Sequence, residues 1–288
     1  MFKLKKLISL IILISVTLVN SQKSEREKED DFVKKYAPKN LDTHGFILPV
    51  DSTVPEVHQL FNDLEKNFYF YGDKKEFERK AARIIELDPE YPSGILMSSF
   101  YVFDSKKYKE KVTKAYELSK KSRLKSERDI IQAEYSLLVE EDYKKAQEYF
   151  QKVVDLYPDS VAAIWSLGMA YYYNEELDKA LECYKKSIEL LPGLPKGYEF
   201  VSVMYYQKKQ YQKALEYLDI AEKNGANDKN DIYFSEYKGF LFYKNKMYEK
   251  VINYVNKVSF YGKNFKNSKQ FKKVYNLSKL KLDSINKL

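Results

Sequence analysis

An all-α solenoid of about six helix-turn-helix pairs, closed by a C-terminal capping helix, is the fold class predicted by three features of this 288-residue sequence. A register of similar residues recurs about every 34 positions between 58 and 260. Apolar residues such as Ile164, Leu167 and Tyr171 fall at i, i+3 and i+7, the stripe of a helix and not the alternation of a strand. Glycine and proline are scarce, nine and eight, too few for the turns of a β-sandwich. A unit of that period cannot bury its own apolar face, so neighbours must stack.

The first segment reads as an address. Lys3, Lys5 and Lys6 precede the apolar run Leu7 to Val19, broken only by Ser9, Ser15 and Thr17. That run suits a signal peptide over residues 1–21 and is short for a membrane span. Cleavage after Ser21 would expose Gln22, and export to a periplasmic or secreted location is expected. An uncleaved anchor facing the non-cytoplasmic side is the alternative. Residues 22–57 follow as a lead-in: Lys23 to Lys35 mixes both charges and reads as a flexible spacer, and Pro38 to Pro55, which holds His44, reads as extended.

The array is expected over 58–262, in units near 58–91, 92–126, 127–160, 161–194, 195–228 and 229–262. Second helices are placed at Lys74, Tyr108, Tyr143, Leu177, Tyr211 and Tyr248, spaced 34, 35, 34, 34 and 37. Three residues on come Phe77, Lys111, Ala146, Ala180, Ala214 and Val251, and four further Ala81, Ala115, Phe150, Tyr184, Leu218 and Val255. Prolines 89, 158 and 192 stop second helices. The Asn-Gly-containing stretch 224–231 accounts for the longest interval. Beyond it, 263–288 is a basic capping helix with Phe271, Val274, Tyr275, Leu282 and Ile285 on one stripe, covering the last open face.

The segment Ile164-Trp165-Ser166-Leu167-Gly168-Met169-Ala170-Tyr171, followed by Leu177, Ala180, Tyr184 and Pro192, resembles a tetratricopeptide repeat. The resemblance is good in the three central units and degenerate in the outer ones, with Lys111 the plainest departure. It implies a right-handed superhelix whose concave groove is lined by first helices. It also implies that groove residues lie off the packing stripe. These are Ala162, Trp165, Met169, Tyr172 and Tyr173 centrally, Arg128, Ile131, Tyr135 and Leu138 before them, Lys196, Glu199, Val203 and Tyr206 after, and Tyr233, Glu236, Phe240 and Tyr243 last. The candidate partner-binding set is Tyr135, Trp165, Met169, Tyr172, Tyr206, Tyr233, Phe240 and Tyr243. Aromatic side chains there offer rigid, amphipathic contact area. The family's carboxylate clamp needs Asn where this chain has Tyr135, Met169 and Val203, so that role is disfavoured.

Chemistry is hard to find elsewhere. One cysteine, Cys183, excludes an internal disulfide, and with two histidines, His44 and His58, it leaves little for a metal or acid–base centre. Cys183 and His58 read as packed structural residues. No phosphate loop or dinucleotide fingerprint occurs, so no cofactor and no catalytic role are expected. The formal charge of +8 is unevenly spread: the first 21 residues carry three lysines and no acid, and eight lysines against Asp283 follow Gly262. The body between is close to neutral, and only five of the 50 basic residues are arginines, which argues against nucleic acid. The expected function is an exported, non-catalytic scaffold holding a peptide or protein segment in the aromatic groove. A membrane-tethered assembly factor and a glycan-binding module are the alternatives.

Overall fold

The computed structural model describes residues 25–39, 41, 48–70, 73–100, 102, 104–226, 232–261 and 267–285. Residues 1–21, read above as a signal peptide, His44 and residues 227–231 of the long connection lie outside them. Every regular element among the described residues is a helix. In chain order these are α1 (25–36), α2 (Pro55–Tyr69), α3 (Lys74–Leu87), α4 (Pro92–Met97), α5 (Ser105–Ser119) and α6 (Lys125–Tyr135). There follow α7 (Tyr143–Leu156), α8 (Val161–Tyr173), α9 (Leu177–Leu190), α10 (Pro195–Gln207), α11 (Tyr211–Lys223), α12 (Ile232–Lys244), α13 (Tyr248–Val258) and α14 (Lys269–Ile285). This is the all-α, helix-pair class read from the periodicity. Second helices α3, α7, α9, α11 and α13 start at the residues the register singled out. Helix α5 starts three residues before Tyr108, because the Asp104 carboxylate accepts the Lys106 and Lys107 N–H groups, each at 3.0 Å, and caps it there.

The chain divides into two compact units, with the boundary inside α9 between Cys183 and Tyr184. In the first unit α2 and α3 close on Val57, Phe61, Leu64, Phe77, Ala81 and Ile84. Helices α4, α5 and α6 share Ile95, Leu96, Val112, Ala115 and Ile131. Helices α6, α7 and α8 share Ala133, Leu137, Ala146, Phe150, Leu167 and Ala170. Lys111 takes the place of a small or apolar residue by stretching across α4, donating from Nζ to Ser98 O at 3.0 Å and Ser98 Oγ at 2.9 Å. Burial lowers the affinity of that amine for its proton.

The lead-in differs from the expected spacer. Residues 25–36 are helical, helped by the Glu25–Lys28 pair at 3.0 Å and the Arg26–Asp30 pair at 3.8 Å. What holds α1 in place is Glu29, only 3% exposed, whose carboxylate accepts the Ser126 N–H at 2.9 Å and the Tyr157 hydroxyl at 2.8 Å. Arg26 pairs with Asp159, and the Arg123 guanidinium lies 4.4 Å from the Phe32 ring centre. Further on, Asp51 accepts from Ser122 Oγ, Arg123 N and Arg123 Nε, each at 2.6 Å. His58 is fully buried with Nε2 2.8 Å from Ser52 O, and burial depresses its protonation. Within this stretch Glu29 and Arg26 serve docking, while Glu27, Lys28, Asp31, Lys34 and Lys35 stay exposed.

In the second unit α10 and α11 meet through Val201, Met204, Ala214, Leu218 and Ala221, all fully buried. Gly197 is required where α10 begins: a Cβ there would collide with Ile188 Cγ2 and crowd Leu194 Cδ2 at 3.2 Å. Helices α12, α13 and α14 enclose Val251, Tyr254, Val255, Val258, Phe271 and Val274. The capping stripe is shorter than expected, since Ile285 is 55% exposed and burial on α14 ends at Ser278.

Four turns between paired helices place a charged residue in the left-handed region: Glu141 (φ 57°), Glu175 (61°), Lys209 (60°) and Lys246 (59°). Each lies two residues before its second helix. One pair is irregular. Three helix pairs carry a buried residue on the first helix and another twelve residues on in the second: Gly168 and Ala180, Ser202 and Ala214, Gly239 and Val251. Ser202 Oγ donates to Ala214 O across one of them at 2.6 Å. The corresponding buried pair of α6 and α7 is Ala133 and Ala146, thirteen apart. The extra residue is absorbed by a π-helical turn, Ser136–Glu140, that closes α6.

Candidate functional site

The first unit holds a cavity of about 200 Å³. Its walls come from four helices and one connection: Phe68 at the end of α2, Phe100 after α4, Tyr108 of α5, Trp165, Ser166, Met169 and Tyr173 of α8, and Glu134 of α6 with Leu137 and Leu138 of the π turn. Helix α8, apolar on nearly every face, supplies the largest share. Its packing residues Ile164, Leu167 and Ala170 face the core, which leaves Trp165, Met169 and Tyr173 to line the opening. Phe68 meets Trp165 edge-on at 6.0 Å and Phe100 at 5.1 Å. Trp165 is 8% exposed, so it is a packed wall and not a projecting anchor.

Glu134 is the one charged group in this wall. It makes no hydrogen bond or ion pair among the described residues, and its helix offers none: the residues three and four away are Ile131, Leu137, Ile130 and Leu138. Burial raises its pKa to about 7. The Tyr108 and Tyr173 hydroxyls hold their protons more tightly than usual, first through burial and then through a neighbouring charge or dipole, Glu134 among them.

The eight residues singled out in the sequence do not gather at one place. Trp165 and Met169 line the cavity. Tyr172 lies beside it, edge-on to Tyr173 at 5.7 Å. Tyr135 instead stacks on Tyr116 of α5, 4.2 Å between centres and 15° between planes, and is half-buried in helix packing. The π turn is the cause. A uniform 34-residue offset equates Tyr135 with Met169, but the additional residue moves that groove position to Glu134. In the second unit Tyr206 packs on Tyr211, Tyr237 and Phe240 at 5.6 to 5.9 Å. Tyr243 packs on Tyr248 at 5.8 Å, while Tyr233 is 69% exposed. Phe68, Phe100, Tyr108 and Glu134 escaped the sequence reading. The 35-residue interval was the available signal for Glu134.

Other reactive groups are accounted for by packing. Burial pushes the Cys183 thiol up to about 12, far from a nucleophile's range. Glu127, 2% exposed and raised to about 7 by burial, is bonded to Ser93 and Ser122, the latter at 2.7 Å. No cluster of His, Cys, Asp or Glu among the described residues is arranged to hold a metal ion. No helix among them is long and apolar enough to cross a membrane.

Residues 133–160 and 166–194 each match a family model of the tetratricopeptide repeat. No curated protein matches the chain by sequence. Among solved structures, it is similar to a chain of the APC/C hetero-tetramer Cut9-Hcn1, at 17% identity and TM-score 0.55, covering 79% of this chain and 42% of that one. The present chain therefore spans less than half of that relative's length. It is also similar to PilW, a type IV pilus biogenesis factor, at 13% identity and TM-score 0.51, covering 76% of this chain and 98% of that one. At such identities the likeness is one of fold.

Proposed function

We propose that this chain, which carries tetratricopeptide repeats, is a non-catalytic scaffold that receives a segment of a partner protein in the groove of its first unit. The aromatic cavity around Trp165 carries the reading. Repeat folds of this kind serve protein–protein interaction, and a concave pocket with rigid aromatic walls suits an anchoring side chain.

The protein is further read as exported, on the basic start and short apolar run of residues 1–21. N-terminal sequencing of the mature chain tests this, a start at Gln22 supporting it and a start at Met1 overturning it. The scaffold reading is tested by capture from the native cell envelope with wild type beside Met169→Ala/Tyr173→Ala. Both side chains line the cavity and neither is fully buried, so the fold should persist. A protein retained by wild type and lost by the variant is expected. Equal retention would move the site elsewhere.

A further inference from the structure

We propose that the cavity of the first unit is a receptor for one basic side chain, a lysine or arginine, of the bound segment. This rests on the scaffold reading above and names the chemistry that the groove selects.

The geometry supplies both halves of such a receptor. Phe68, Phe100, Tyr108, Trp165 and Tyr173 surround the space with ring faces and edges, the environment in which organic cations are held by the aromatic quadrupole. Glu134 adds a carboxylate without an internal counter-charge. Two acids of the following turns are paired instead: Glu140 with Lys145 at 2.8 Å, and Glu176 with Lys179, the latter acid also accepting hydrogen bonds from the Asn174 and Gln147 amides. Glu134 is desolvated with no cation beside it among the described residues, which costs free energy unless a cation completes it. The size fits as well. About 200 Å³ admits one long side chain, with its methylenes against Leu137, Leu138 and Met169 and its head at Glu134.

Other occupants fit less well. An apolar side chain would deepen the desolvation of the carboxylate, and an anion would be repelled by it. A metal ion would find one carboxylate and no imidazole or thiolate among the lining residues.

The sole tryptophan of the chain stands in the wall, so its fluorescence reports occupancy directly. The probes are n-butylammonium and n-propylguanidinium, with n-butanol as the neutral control and sodium chloride at equal ionic strength. At pH 8, where Glu134 is mostly ionised, both cations should shift the emission saturably and the controls should not. Glu134→Gln should weaken the cations at least tenfold with unchanged helical content. Butanol binding as tightly as butylammonium, or undiminished binding by Glu134→Gln, would overturn the proposal.

Selection of 12-residue peptides from a displayed random library separates this claim from the one beneath it. Selected peptides that lose at least tenfold on Lys/Arg→Met replacement, and equally against Glu134→Gln, would support both. Peptides indifferent to either change would overturn the cation receptor and leave the scaffold standing. Ammonium binding with no peptide selected would overturn the partner segment, and the scaffold reading with it.

Discussion

Glu134 and Met169 line one cavity from successive first helices, 35 residues apart in an array whose other central intervals are 34. The difference is the π turn, which keeps Ala133 and Ala146 buried in one cluster while one more residue passes between them. Deleting Val139 from that turn should restore the twelve-residue spacing and an uninterrupted α-helix. Ala133 and Glu134 should keep their places, with a thermal midpoint within a few degrees of wild type. Loss of cooperative unfolding would show instead that the turn is needed for the local core.

Glu65 should dominate the pH dependence of stability just above neutrality. It is 7% exposed, and burial raises its carboxyl to about 8 from the ordinary range near 4.5. Folded protein thus holds a proton that unfolded protein has released between these values. Stability is fully supported below the lower one and falls as pH rises to about 8, with a slope of up to about 1.4 kcal/mol per pH unit. Glu127 and Glu134 act in the same direction up to about 7, whereas His58 opposes them only below its ordinary value. Glu65→Gln should flatten the slope between pH 7 and 8 in denaturant titrations. An unchanged slope would reject the assignment.

Gly197 and Gly193 form a matched pair of tests. Gly197→Ala would drive a methyl into Ile188 and should cost about 1–3 kcal/mol. Around Gly193 a new Cβ meets nothing within 4 Å, so Gly193→Ala should be neutral or slightly stabilising. Urea midpoints at constant m-value decide it, and equal effects at both sites would refute the crowding argument.

Glu29→Ala should release α1. The change strands the Tyr157 hydroxyl and the Ser126 N–H, at a cost of about 1–3 kcal/mol. Hydrogen exchange over 25–36 should accelerate strongly while α7 and α8 stay protected. Unaltered exchange in α1 would mean that Arg26, Phe32 and their partners suffice.

The helix pairs were legible because their cause is local: an apolar stripe, a small residue at each crossing and an acid or serine at several helix starts announce themselves in the chain. Asp73, Asp142 and Ser160 cap α3, α7 and α8, each side chain accepting a backbone N–H of the first turn. Docking of α1 was not legible, since the mixed charges of 23–35 read the same whether they face water or reach Tyr157, Ser126 and Asp159 over 97 residues or more. The cavity fell between these cases. Trp165 and Met169 followed from the repeat, but Tyr135 was given the place of Glu134, because a π turn leaves only a one-residue excess in the spacing.

The four left-handed turns give the protein a reserve of thermostability that its present side chains leave unused. Glu141, Glu175, Lys209 and Lys246 each hold an L-residue where glycine is at ease, a conformation that costs roughly 1–2 kcal/mol. Glycine would recover part of this, less the greater freedom it gives the unfolded chain, for a net gain of about 0.5 kcal/mol per turn. The turns lie in separate helix pairs, so their gains should add. Heat resistance could then be raised stepwise from the surface, with the core and the groove chemistry left as they are.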